Sequence, residues 1–241
     1  MKQLKYLFKS KFFRILSYLI SLRFFYSSFK VLSSFPRELN LDGKKVLIFA
    51  PHPDDETFGC FSIIENAKLV DVVLITRGGK VDKSVSLDNS QIKQLRLTEF
   101  RKVSEYKNFN IVGDFNLEDS EIDVHELRSK ILNIKWNYDY IFAPNINDNH
   151  PDHHIVTACL LDIKTKLPNS LKIFFYEVWT TFNQYDHFVE IRDLNNKLAT
   201  MSLYESQTIS FNYLEGICGL NKYRGLQCNR HAVEAFKLYE E

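Results

Sequence analysis

Two largely apolar runs, each ending in a cluster of proline, histidine and aspartate, constrain this chain more than any other feature. Lys45–Ala50 (KVLIFA) runs directly into PHPDDE at residues 51–56. Residues 138–143 (YDYIFA) lead through a short polar stretch into NHPDHH at 149–154. Short apolar runs rich in β-branched and aromatic residues and closed by proline read as buried strands. The segments between such runs carry helical periodicity. The pattern predicts helices over 58–69, 91–107, 124–136, 157–166, 194–205 and 230–239, and further strands over 70–76 and 172–178. Pro151 suits the first turn of a helix, where its missing N–H costs nothing, so His150, His153 and His154 fall within one turn of each other. Strands alternating with helices imply an α/β fold: three layers, Rossmann-like, with a mostly parallel sheet covered by helices on both faces.

Charge divides the chain in two. Residues 1–37 carry eight Lys and Arg and no acidic residue, which leaves 23 Lys and Arg against 30 Asp and Glu beyond them. The expected organisation is a basic, aromatic-rich arm at 1–37 and a single domain at 38–241. Phe, Tyr, Leu and Ile between the arm's cations suit a segment lying at an anionic membrane surface through residues 1–35; the alternative is an extra helix packed on the domain or on a partner. The apolar stretch at 15–22 is bounded by Arg14 and Arg23, too short for a bilayer span and without a cleavage site after it. A net charge of +1 argues against a nucleic-acid partner. The four cysteines form no C-x-x-C pair, which suits free thiols in the cytoplasm, with the protein peripheral on the inner membrane face.

Four of the seven histidines lie in the two clusters, beside four carboxylates. Imidazoles and a carboxylate make a typical catalytic zinc shell, with one position left for water. Ligands of open α/β sheets bind beyond the carboxyl ends of the strands, where both clusters are placed. Spacing alone does not say which histidines bind.

PHPDDE with a later HPDH resembles the signature of the LmbE-like, PIG-L-like zinc de-N-acetylases, which remove acetyl groups from N-acetylglucosamine units and related amides. The likeness extends to Thr76-Arg77-Gly78-Gly79, Arg96-Leu97-Thr98-Glu99, Glu118-Asp119-Ser120, Tyr176-Glu177-Val178-Trp179 and Tyr223-Arg224-Gly225, and covers roughly residues 44–237. It implies one Zn2+ per chain held by His52, Asp55 and His153, with Asp54 as general base. It further implies His150 as the group that stabilises the oxyanion or protonates the leaving amine, Asp152 orienting a neighbouring imidazole, and Arg96 and Asp119 contacting the sugar. His231 stands where the family commonly has Tyr.

The implied reaction is hydrolysis of an N-acetyl amino sugar to the free amine and acetate. A nucleotide- or lipid-linked sugar used in surface glycan synthesis suits the arm; a soluble N-acetylglucosaminyl conjugate of a low-molecular-weight thiol pathway is the alternative. Asp152-His153-His154 is also similar to the DHH phosphoesterases, and an inactive membrane-associated scaffold is the reading from another class.

Overall fold

The computed structural model describes residues 35–79, 87–209 and 211–240. The expected arm at 1–35 therefore lies outside the described residues except for Phe35. No helix among the described residues is long and apolar enough to cross a membrane.

Eight strands form one sheet: β1 (Arg37–Glu38), β2 (Lys45–Ala50), β3 (Leu69–Thr76), β4 (Asn110–Leu117), β5 (Tyr140–Pro144), β6 (Lys172–Tyr176), β7 (His187–Glu190) and β8 (Val233–Leu238). Their order is β1-β7-β8-β6-β5-β2-β3-β4, and β8 alone runs against the others. The helices are α1 (Asp55–Asn66), α2 (Asn89–Lys107), α3 (Val124–Leu132), α4 (Pro151–Asp162), α5 (Leu194–Met201), α6 (Glu205–Thr208) and α7 (Tyr213–Gln227). From β2 the chain winds outward through β3 and β4, then returns to β2's other side for β5 and β6. The β2/β5 boundary is thus the point where winding reverses, and the crevice that such a reversal opens lies there.

Side chains alternate across a strand, so a centrally placed strand feeds two cores. Val46 and Ile48 of β2 join Val72, Phe142 and Phe236 on one face, under Phe58 and Ile63 of α1 and Leu97 and Phe100 of α2. Leu47 and Phe49 join Val73, Ile141 and Phe175 on the other, under Leu127 of α3 and Val156 and Leu160 of α4. The sheet is therefore covered on both faces, as the apolar runs predicted.

Residues 230–239 depart from expectation: they form β8, not a helix. Ala and Glu in that stretch favour helix locally, but Ala235 and Phe236 enter opposite cores, a burial that only a strand permits. The segment read as one helix over 194–205 is two, α5 and α6, separated by a turn at 202–204. Arg96 lies inside α2. Strand β4 was not legible because its pairing with β3 shifts register twice, between Val72 and Val73 and between Leu74 and Thr76, which breaks the period-two pattern. Helix α7 contains Gly216, Gly219 and Gly225, a composition that hides a helix in propensity.

Candidate active site

Strands β2 and β5 pair in parallel, so their carboxyl ends bring both Pro-His-Asp clusters to one place. Three polar atoms face one another there. His52 Nδ1 lies 3.3 Å from Asp55 Oδ2. His153 Nε2 lies 3.2 Å from that same oxygen and 3.3 Å from His52 Nδ1. Zinc–ligand distances of about 2.0–2.2 Å give tetrahedral edges of roughly 3.3–3.5 Å, so the triangle has the dimensions of one face of a zinc shell.

Carboxylates back both imidazoles. His52 Nε2 bonds Asp152 Oδ2 at 3.0 Å, and Ser120 N donates to that oxygen at 3.0 Å. His153 Nδ1 meets Asp148 Oδ2 at 3.4 Å, a charge contact and not a formed hydrogen bond. Such outer carboxylates orient a ligating imidazole and raise its basicity. Burial opposes charge on both rings, yet Asp119, Asp152 and Asp55 hold His52 well above the ordinary imidazole range, and Asp55 and Asp148 push His153 up to about 9. The protein surrounds these rings with more negative charge than they neutralise as bases, which is the electrostatic demand of a cation site. The donor set fits a divalent metal. Two other triads, His52/His150/His153 and His52/Asp119/Asp152, also bring one ligand atom each within 4.8 Å of one another.

Asp54 sits between the clusters on strained backbone, with φ 129°. Burial pushes its carboxyl up to about 8, although the Arg96 guanidinium works in the opposite direction. Arg96 Nη2 reaches Asp54 Oδ2 at 3.2 Å and Pro53 O at 3.1 Å. The guanidinium occupies the space of an absent side chain: a Cβ on Gly78 would lie 2.1 Å from Arg96 Nη1. Only glycine fits there, and its φ of 59° suits glycine as well.

His150 is the N-cap of α4, its amide held by Asp148 Oδ1 at 2.9 Å. Its ring centroid lies 4.7 Å from those of His52 and His153. Burial and these two neighbours hold its pKa below the ordinary value. Its buried Nδ1 has no hydrogen-bond partner.

A cavity of about 180 Å³ opens over this arrangement. His52, Asp54, Asp55, His150, Arg96 and Asp119 all line it. Asp119 also stands 3.6 Å from His52 Nε2 and accepts Gly79 N at 2.8 Å; burial opposes its charge, but His52 holds it well below the usual carboxylate range. His154 points away, exposed, with Nδ1 on Ile146 O at 2.8 Å, and His231 is exposed outside the cavity. The sequence reading missed Asp148, whose signal was a second carboxylate beside that cluster, two residues before His150. It also gave no role to Trp179, although that residue ends the quoted Tyr176–Trp179 stretch, and it missed Phe211 and Tyr213, which complete an aromatic wall from a segment with no motif of its own.

Residues 47–164, from β2 through α4 and including both clusters, match the family model described as GlcNAc-PI de-N-acetylase, PIG-L. The chain carries a PIG-L domain. Solved structures share its fold. N,N'-diacetylchitobiose deacetylase from Pyrococcus horikoshii superposes with a TM-score of 0.71 at 21% identity, over 82% of this chain and 84% of that one. A zinc-inhibited form of teicoplanin deacetylase gives 0.62 at 13% identity, over 80% and 97%. The 4-carboxy-2-hydroxymuconate hydratase GalB from Pseudomonas putida KT2440 gives 0.61 at 13%, over 82% and 97%. No curated protein matches this sequence.

Proposed function

We propose that the PIG-L domain hydrolyses the N-acetyl group of an N-acetylated amino sugar, with one divalent cation, zinc by preference, held by His52, Asp55 and His153. The reading is carried by the 3.2–3.3 Å triangle of His52 Nδ1, Asp55 Oδ2 and His153 Nε2 beneath a cavity lined by Asp54 and His150. A hydratase shares the fold, so architecture alone does not choose the chemistry. Support for amide cleavage comes from the family match and from the deacetylases among the fold's relatives.

A cation on the triangle would acidify a bound water and polarise the amide carbonyl. Asp54 takes the proton from the attacking water. Protonated Asp54 then passes that proton to the leaving nitrogen. Arg96 fixes Asp54 in place through its 3.2 Å contact. His150, whose ring lies against those of His52 and His153, serves as a hydrogen-bond donor to the developing oxyanion. Asp152 and Asp148 hold the ligand rings, and Asp119 and Arg96 border the sugar.

The cavity is below the roughly 300–1,000 Å³ usual for a drug-sized ligand, so it suits one small ring. Whatever is attached to that ring lies across Trp179 and Phe211 at the mouth, which are 51% and 56% exposed. A nucleotide- or lipid-linked N-acetylglucosamine is the substrate proposed, with residues 1–35 as a tether to anionic membrane and 38–241 as the catalytic domain.

Acetate release from free, nucleotide-linked and lipid-linked N-acetylglucosamine tests the reading. Release that depends on added metal is expected; none from any substrate with metal-loaded protein overturns it. Sedimentation of the full chain with anionic vesicles, lost at high salt or on deleting residues 1–35, tests the tether.

A further inference from the structure

Helix α1 is two short helices joined at Cys60, whose φ of −134° and ψ of 23° are not helical. The first piece, 55–59, carries Asp55; the second, 61–66, packs in the core. In an unbroken helix each N–H bonds the carbonyl four residues earlier, so Ser62 N would meet Phe58 O. Around this kink, backbone groups find side chains instead. Lys197 Nζ donates to Phe58 O at 2.8 Å. Glu234 accepts Phe61 N at 3.0 Å on Oε1 and Ser62 N at 2.7 Å on Oε2.

The two side chains are paired with each other at 2.6 Å and are 0% and 2% exposed. Every polar group is matched. The three protons of the ammonium go to Phe58 O, Glu234 Oε1 and Asn221 Oδ1, the last at 2.9 Å. Glu234 also accepts from Ser62 Oγ, and Asn221 Nδ2 is held by Val233 O at 3.1 Å. A cation thus sits at the carboxyl end of the first helical piece and an anion at the amino end of the second, the signs that helix termini favour.

We propose that Lys197 and Glu234 are positioning residues for the catalytic centre: by bridging the kink from α5 and β8 they set the angle at which 55–59 presents Asp55 to His52 and His153. A continuous α1 would turn that segment about the helix axis, and an unclamped kink would leave it free to do so. The close approach of Gly59 to β6 allows no slack, since a Cβ there would lie 2.3 Å from Tyr176 Cδ2. This inference rests on the metal reading above.

The test uses Co2+ as a spectroscopic stand-in for zinc in the full chain. In the double variant Lys197→Met/Glu234→Leu, which leaves no uncompensated buried charge, Co2+ affinity should fall at least tenfold and the visible band should change. With metal restored, kcat should fall at least tenfold at little change in KM. In the metal-free protein the amides of 55–59 should exchange faster. Tyr138→Phe, which removes a hydrogen bond to Asp71 at the opposite end of the sheet, controls for general loss of stability and should leave the Co2+ band unaltered. If the double variant does not fold, Asn221→Ala and Ser62→Ala each remove one bond from the clamp and no charge, and should still alter the band and lower kcat. Wild-type affinity, spectrum and kcat in folded clamp variants overturn the proposal. Absence of Co2+ binding by the wild type would instead overturn the metal reading.

Discussion

Two buried charge clusters lie along one broken helix, one at its amino end and one at its kink, and they are built on opposite terms. Around Lys197 and Glu234 each donor has an acceptor, and the pair closes on itself. Around His52 and His153 the carboxylates outnumber the rings, Asp54 sits on strained backbone, and polar atoms go without hydrogen bonds. Of the four buried side-chain atoms without such a partner among the described residues, three belong to Arg96, His150 and His153. A group buried without its partner is costly, and a fold tolerates it where a ligand or reaction supplies what is missing. The first cluster holds the backbone; the second is where the proposed cation and substrate belong.

The largest expected effect falls on the strained cluster. Asp54→Asn should retain stoichiometric metal while lowering kcat by about 10² to 10⁴, the range for loss of a general base. Loss of metal together with activity would make Asp54 a ligand and erase the distinction drawn between it and Asp55.

Replacing an outer carboxylate has a smaller effect on the same cluster. Asp152→Asn should weaken metal affinity about 10- to 100-fold by loosening His52, read by competition with a chelator. Unchanged affinity would place Asp152 outside the metal's support.

A third buried pair sharpens the contrast because it belongs to the satisfied kind. Arg224 Nη2 meets Glu177 Oε1 at 2.5 Å, and burial raises the Glu177 pKa even against that guanidinium. Arg224→Met should cost about 3–5 kcal/mol near pH 8 by leaving the carboxylate buried alone. The sign follows from linkage. A raised native pKa means the folded state binds more protons than the unfolded one above the ordinary Glu range, so stability falls as pH rises through that window. The variant's melting temperature should therefore recover toward wild type as pH is lowered from 8 to 5. A pH-independent loss would assign the cost to packing.

The smallest effect is expected far from both clusters. Asp123 caps α3 through His125 N and Glu126 N, and these amides lower its pKa. Asp123→Ala should reduce the melting temperature slightly above that depressed pKa, lose this effect in acid, and leave metal affinity and kcat unaltered.

Local chemistry made the central strands and the candidate ligands readable from the chain alone. VLIFA of the first run and IFA of the second are buried on both faces as their apolar character requires, and a Pro-His-Asp cluster behind each strand end belongs at the carboxyl edge of a parallel sheet. Tertiary structure decided what the order of residues does not encode. Asp152 backs His52 from 100 positions away because β5 happens to pair with β2. Residues 233–238 became a strand because Ala235 and Phe236 serve two cores at once. Lys197 and Glu234, ordinary surface residues by type, are buried because a kink 135 residues or more earlier in the chain left backbone groups to satisfy. Periodicity and motif are short-range properties of a chain, whereas hydrogen-bond satisfaction and charge compensation are settled only when distant segments are brought into contact.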